Sequence, residues 1–296
     1  MKIGLLDVDG HNFPNLPLMK LSAWHKAQGH NVERFFPFNS YDLVYQAKVF
    51  TFTEDFQTVV NAKEIIKGGT GYFYPDGGKP LAKEIEHIYP DYDLYNEKTA
   101  YGFLTRGCPR GCDFCIVGKK EGLKSRKVAN LDEFWRGQKN IELLDPNLLA
   151  YKDHKELLQQ LIDSKAIVNV NQGFDIRLTT PENIELIRQM KIKLLHFAWD
   201  YQKEERAILP KLKQFKELTG INRSKLIVYV LTNFDTTHEY DLYRVETLKS
   251  MGYDPYIMIY EKDTAPDTTR KFARYVNNKF IFWSQECKSF EDYQKL

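Results

Sequence analysis

The chain has 296 residues and a mass of 34.8 kDa, enough for one large domain or two modest ones at roughly 150 residues per domain. Its 42 basic and 40 acidic residues leave a formal charge of +2, which gives no global nucleic-acid signature. With 43% hydrophobic residues, 28% charged residues and no low-complexity tract, the composition excludes disorder. It also lacks an apolar run of the ~18 residues that a membrane span requires.

The first residues, MKIGLLDVDGHNF, hold too short an apolar stretch for a signal peptide and read as a first strand, so the cytoplasm is the expected location. Lys2–Leu6 is that strand, and Leu18–Gly29 has helical spacing with a terminal glycine as its stop. Val32–Phe36 and Asp42–Phe50 are β-rich. Asp55–Ala62 reads as a short helix, and Lys63–Lys67 as a strand halted by Gly68-Gly69. This alternation predicts a small doubly wound α/β domain with a parallel sheet over residues 1–75. Residues 76–98 lie in a stretch rich in Pro, Gly, Asp and Tyr and are expected to form a linker.

From residue 99 to 296 the βα rhythm resumes. Strands are expected at Tyr101–Thr105, Ile141–Asp145, Ile167–Asn171, Leu194–Trp199, Leu226–Leu231 and Tyr256–Glu261. Helices are expected between them at Leu131–Gln138, Lys155–Ser164, Pro181–Lys191, Lys203–Leu218 and Tyr240–Met251. Six βα units predict a partial (βα)6 barrel of the TIM type, with its site at the C-terminal strand ends. The last segment, with Trp283 and Tyr293, is expected to pack across the open edge.

Three of the four cysteines fall in Gly107-Cys108-Pro109-Arg110-Gly111-Cys112-Asp113-Phe114-Cys115, a C-x3-C-x2-C loop; the fourth is Cys287. Three thiolates so close can hold three irons of a cubane [4Fe–4S] cluster and leave the fourth iron for a non-protein ligand. A structural zinc site would need a second pair of ligands nearby, and none exists, although Cys287 stays open as a distant fourth. A simple electron-transfer ferredoxin carries four clustered cysteines on a far shorter chain.

CPRGCDFC, placed after the strand YGFLT at the head of six βα units, resembles the signature of the radical S-adenosylmethionine (SAM) superfamily, with Phe114 at its aromatic position. The resemblance implies that Cys108, Cys112 and Cys115 bind the cluster and that Phe114 sits by the adenine of SAM. It implies reductive cleavage of SAM to a 5′-deoxyadenosyl radical that abstracts hydrogen from a substrate. It further implies an external electron donor of flavodoxin or ferredoxin type. The family's Gly-Gly-Glu after the second strand is replaced by Leu144-Asp145-Pro146-Asn147, so Asp145 or Asn147 is the expected contact to the SAM amino group. Further candidate SAM contacts at strand ends are Asn171, Gln172, Asp175, Arg177, Asp200, Thr232 and Asn233. Arg177 leads them because a guanidinium there can pair bidentately with a carboxylate. For each, capping a helix or a turn is the alternative use.

Residues 1–75 resemble the cobalamin-binding type of Rossmann domain. Asp9-Gly10-His11-Asn12-Phe13-Pro14 matches D-x-H-x-x-G at Asp and His but has Pro14 for Gly, and Gly68-Gly69 matches the glycine pair beside the nucleotide tail. The resemblance implies His11 on cobalt, oriented by Asp9. A cofactor-free version of that domain is the competing expectation. A methylthiotransferase would carry three further cysteines in this domain, and residues 1–107 hold none.

The stretch from Arg106 to Lys127 has seven basic residues (Arg106, Arg110, Lys119, Lys120, Lys124, Arg126 and Lys127) against Asp113 and Glu121, a local net of +5. It reads as a solvated loop or as a rim for an anionic substrate, with nucleic acid left open. The expected activity is therefore a radical SAM enzyme with an unassigned small-molecule or macromolecular substrate. The alternatives are a cobalamin-dependent radical SAM methylase and a non-catalytic iron–sulfur or zinc module of a partner complex.

Overall fold

The computed structural model describes residues 1–10 and 13–295. Strand β1 (Lys2–Asp7) buries Ile3, Gly4, Leu5 and Leu6 in succession, the continuous burial of a parallel strand covered on both faces. Helix α1 (Leu16–Ala27) starts where the Asn15 side chain accepts the amide of Leu18 at 3.2 Å, with Pro17 in its first turn. Strands β2 (Asn31–Arg34), β3 (Tyr41–Ala47) and β4 (Ala62–Gly68) complete a sheet ordered β2-β1-β3-β4, with every pair parallel. The chain steps outward from β1 to β2 and then back across β1 to β3, so the order reverses between β1 and β3.

One face of this sheet sets Ile3, Leu5, Leu43 and Ala47 against Leu18 and Leu21 of α1. The other face, Leu6, Tyr41 and Val44, is covered by Phe35, Phe56, Val60 and Ala62. The helix expected over Asp55–Ala62 is therefore a loop. Asp55 turns it by accepting its neighbour's amide, Phe56 N, at 2.9 Å, while Phe56 and Val60 are spent as a lid on the sheet.

The segment 76–98, expected as a linker, carries α2 (Lys83–Glu86) and a 3-10 turn at Tyr92–Tyr95. Leu81, Ile85 and Leu94 pack on the α1 face of the sheet. Composition hid these apolar anchors among the turn formers.

Strand β5 (Thr99–Gly102) ends three residues sooner than expected. Beyond it Leu104 accepts the amide of Val128 at 2.8 Å, and β6 (Thr105–Arg106) pairs antiparallel with β7 (Arg126–Lys127) across α3 (Val117–Glu121). Of the helix expected at Leu131–Gln138, one 3-10 turn forms at Leu131–Glu133. Gly137, at φ +95°, turns the chain away before a second turn can close.

From here the rhythm is regular: β8 (Asn140–Leu143), α4 (His154–Ser164), β9 (Ile167–Val170), α5 (Pro181–Gln189), β10 (Lys191–Ala198), α6 (Glu205–Thr219), β11 (Leu226–Thr232), α7 (His238–Ser250) and β12 (Asp254–Ile259). These strands form a six-stranded sheet in the order β12-β11-β10-β9-β8-β5, and the pairs among β9, β10, β11 and β12 are parallel. The chain is thus α/β with two sheets of parallel strands.

The C-terminal helices α8 (Asp267–Asn277), α9 (Lys279–Phe282) and α10 (Phe290–Gln294) pack at β12, the outermost strand of that order. Asn277 occupies the strand's outer edge: its side chain accepts from Ile257 N at 2.8 Å and donates to Ile257 O at 3.0 Å. Trp283 and Tyr293 pack on the same cluster, so the terminal segment covers an edge as expected. The chain divides into two compact units, residues 1–111 with 115–142 and residues 112–114 with 143–296.

Candidate functional site

The cysteine loop is shaped by its glycines. Gly107 sits at φ +85°, and a Cβ there would stand 2.3 Å from the Lys124 carbonyl oxygen. The loop is strapped to that strand of chain by Cys108 N donating to Gly122 O at 3.1 Å and Gly107 N donating to the Glu121 carboxylate at 3.1 Å. Glu121 is in turn held by Arg106 at 2.9 Å. Gly111, at φ +57°, makes the second sharp turn.

Cys108, Cys112 and Cys115 are each half-buried. Among the described residues, no three His, Cys, Asp or Glu side chains gather around a common metal-sized point. The donor set nevertheless suits an iron–sulfur cluster: three soft sulfurs on one glycine-turned loop, shielded in part from solvent. Cys287 is buried elsewhere, among Tyr275, Phe282 and Phe290.

Phe114 reaches an aromatic cluster at the C-terminal strand ends of its own unit. Its ring centre lies 5.7 Å from Tyr201, after β10, and 5.5 Å from Phe234, after β11. Phe234 lies 4.9 Å from Tyr260, after β12. Tyr201, Phe234 and Tyr260 were not singled out from the sequence. The available signal was an aromatic just beyond each of the last three strands.

Asp200, also after β10, is mostly buried, and burial pushes its carboxyl up to about 6 against the opposing pull of the Arg244 cation. Arg244 is itself fully buried. It donates to the carbonyls of Trp199 and Leu231 at 2.6 Å each and pairs with Asp241 at 2.5 Å. It thereby satisfies the exposed carbonyl ends of β10 and β11. Asn233 adopts a left-handed conformation, φ +63°, and its side-chain amide donates to Tyr260 O at 2.9 Å. Asn233 therefore ties β11 to β12, while Thr232 is fully buried at the same strand end.

After β9, Gly173 is held at φ +102° because a Cβ would meet the His196 carbonyl at 2.7 Å. Arg177 does pair with carboxylates, but with the protein's own: Asp175 at 2.7 Å and Glu204. Its guanidinium is committed to fastening the turn after β9 to the turn after β10. Asp145 and Asn147, after β8, are buried, Asn171 is half-buried, and Gln172 is exposed.

In the unit holding the four-stranded sheet, His11 lies outside the described residues. Asp9 accepts the amides of Val49 at 2.5 Å and Phe50 at 3.3 Å and the Thr53 hydroxyl at 2.7 Å. Gly69, at φ +98°, is required because a Cβ would stand 2.3 Å from the Lys48 carbonyl. These residues do not fit a corrinoid: the carboxylate expected to orient a cobalt ligand secures the 49–53 loop, and the glycine expected beside the nucleotide tail is filled by backbone. No helix among the described residues is long and apolar enough to cross a membrane. No protein-family model matches the chain, and no curated protein matches it.

Proposed function

We propose that the chain is a radical SAM enzyme whose barrel-like half is a partial (βα)6 barrel. The carrying observation is that the C-x3-C-x2-C loop delivers Phe114 to the aromatic cluster at the ends of β10, β11 and β12. The sequential strand order supports the barrel. When each right-handed crossover steps one strand in the same direction, all helices fall on one face, and the opposite face is left to close on itself.

In this reading Cys108, Cys112 and Cys115 hold three irons of a [4Fe–4S] cluster. The chemistry that cluster supplies when bound is one-electron reduction of SAM to methionine and a 5′-deoxyadenosyl radical, which takes a hydrogen atom from the substrate. The chain's own residues do the positioning. Phe114, Tyr201, Phe234 and Tyr260 form a water-excluding aromatic wall suited to an adenine face. Asp145 and Asn147 offer buried polar groups after β8 for the amino end of SAM. Asp200 holds a proton up to about pH 6 beside this wall and can accept or return one near neutrality. Arg177 positions the two turns and leaves carboxylate binding to other groups. Electrons come from an external carrier of flavodoxin or ferredoxin type, and the substrate is left unassigned.

The test is anaerobic reconstitution with iron and sulfide, followed by SAM and dithionite, with 5′-deoxyadenosine quantified beside Cys112→Ala. Nucleoside release well above the variant is the expected result. A chain that takes up zinc and no cluster would overturn the reading.

A further inference from the structure

We propose that the crevice at the carboxyl ends of β1 and β3 binds a phosphate group, held by Lys48, Lys120 and the Gly69-Thr70-Gly71 turn. This site is independent of the cysteine loop's chemistry.

In an open parallel sheet, strand connections on either side of a reversal in strand order diverge and leave a crevice at the carboxyl ends. Here the reversal lies between β1 and β3. Lys48 is the first residue after β3, and only 8% of its surface is exposed. Two glycines exist to let a turn close over it. A Cβ at Gly71 would stand 2.5 Å from Lys48 Cγ and 2.7 Å from the Phe50 carbonyl, and one at Gly69 would strike the Lys48 carbonyl.

The ammonium so enclosed sits 5.4 Å from the centre of the Tyr72 ring. Among the described residues it has no hydrogen-bond or ion-pair partner, although a buried ammonium is costly without one. The neighbouring carboxylates are committed elsewhere. Asp9 secures the 49–53 loop, and Asp55 pairs with Lys67 at 3.1 Å and accepts the Tyr72 hydroxyl.

A second cation comes from the basic stretch behind the cysteine loop. Lys120, an exposed residue of that stretch, donates to the Thr70 hydroxyl at 2.8 Å. Its ε-carbon lies 3.4 Å from where a Cβ of Gly77 would stand. That bond leaves further ammonium hydrogens for a ligand. One enclosed and one surface ammonium with a hydroxyl around a glycine turn call for a compact dianion, and phosphate, free or carried on a nucleotide, matches that charge and size.

The experiment is isothermal titration of the full-length chain with inorganic phosphate, AMP and adenosine at constant ionic strength, in the parent, Lys48→Met, Lys120→Met and Lys124→Met. Lys48→Met keeps the stem and removes a buried charge, so the fold is retained; circular dichroism checks this. Saturable phosphate binding weakened about tenfold by Lys48→Met and by Lys120→Met, and unchanged by Lys124→Met at an exposed lysine, is expected. AMP binding tighter than phosphate identifies a nucleotide as the source, and equal affinity identifies phosphate alone. No saturable binding, equal affinity in the parent and Lys48→Met, or adenosine binding as tightly as AMP would overturn the proposal.

Discussion

The ring of Phe114 stands 5.5 Å from that of Phe234 at an interplanar angle of 75°. This edge-to-face pair joins the residue between Cys112 and Cys115 to the end of a sheet strand more than a hundred positions later in the chain. Such pairs contribute about 0.5–1.5 kcal/mol beyond the area they bury. A double-mutant cycle on Phe114→Ala and Phe234→Ala is expected to give a coupling energy in that range from denaturant unfolding. A value near zero would mean that the rings touch without holding the loop.

Arg244 binds the carbonyl ends of two strands and its own Asp241 with no exposure to solvent. Arg244→Ala leaves the buried Asp241 carboxylate without its cation, though still bonded by the Thr236 hydroxyl at 2.7 Å, and strips a donor from two carbonyls, so a loss of about 3–5 kcal/mol is expected. Adding Asp241→Asn to that variant removes the stranded charge and should recover part of the loss. Urea midpoints of the two variants compare them directly.

Asp200 predicts one pH dependence. Its carboxyl is raised by burial from 3.8 to about 6, so between those values the folded chain binds more protons than the unfolded chain. Its stabilising contribution is full below pH ~4 and is lost as pH rises through ~6, with a total on the order of 3 kcal/mol. Asp200→Asn should therefore match the parent near pH 4 and exceed it in stability near pH 7. A stability difference that does not change with pH would refute the burial argument.

His25 predicts the opposite sign. Its Nδ1 faces His30 Nδ1 at 2.9 Å and its Nε2 faces the Tyr45 hydroxyl at 3.0 Å. Burial, followed by the His30 charge, lowers its pKa below 6.5. The neutral ring stabilises the fold above the ordinary imidazole value, and that stability is lost as pH falls through the depressed one. His25→Gln should flatten this acid limb of the unfolding curve while leaving the Asp200 limb in place.

Gly107 and Gly122 both have positive φ, +85° and +91°, yet only Gly107 lies against backbone, whereas Gly122 has open space around its Cβ position. Gly122→Ala should cost about 1–3 kcal/mol from strain alone, because its φ of +91° and ψ of +166° are nearly exclusive to glycine. Gly107→Ala should cost distinctly more, because the Lys124 carbonyl must move. If the cysteine loop carries a cluster, iron bound after reconstitution should fall for Gly107→Ala and hold for Gly122→Ala.

Much of this architecture is written in local pattern. Alternating apolar runs and helical spacing placed β1, α1, β3 and the strands and helices from β8 to β12 within a few residues, because a strand or helix buries a face that its own periodicity defines. The cysteine loop was equally legible, since three thiols and two glycines in one short segment need no distant partner to be noticed. Where the pattern misled, at 55–62 and 131–138, helical spacing competed with side chains recruited as a lid and with a left-handed glycine.

The choice of partner was decided by the tertiary structure alone. Nothing around Arg177 announces that Asp175 and Glu204 will occupy its guanidinium, and nothing around Lys48 announces that a glycine turn will enclose it. Tyr201, Phe234 and Tyr260 look like ordinary core aromatics until three strand ends bring them to Phe114. Periodicity reports which face of an element turns inward, whereas a site depends on which elements then meet, and that is set by packing among residues far apart in the chain.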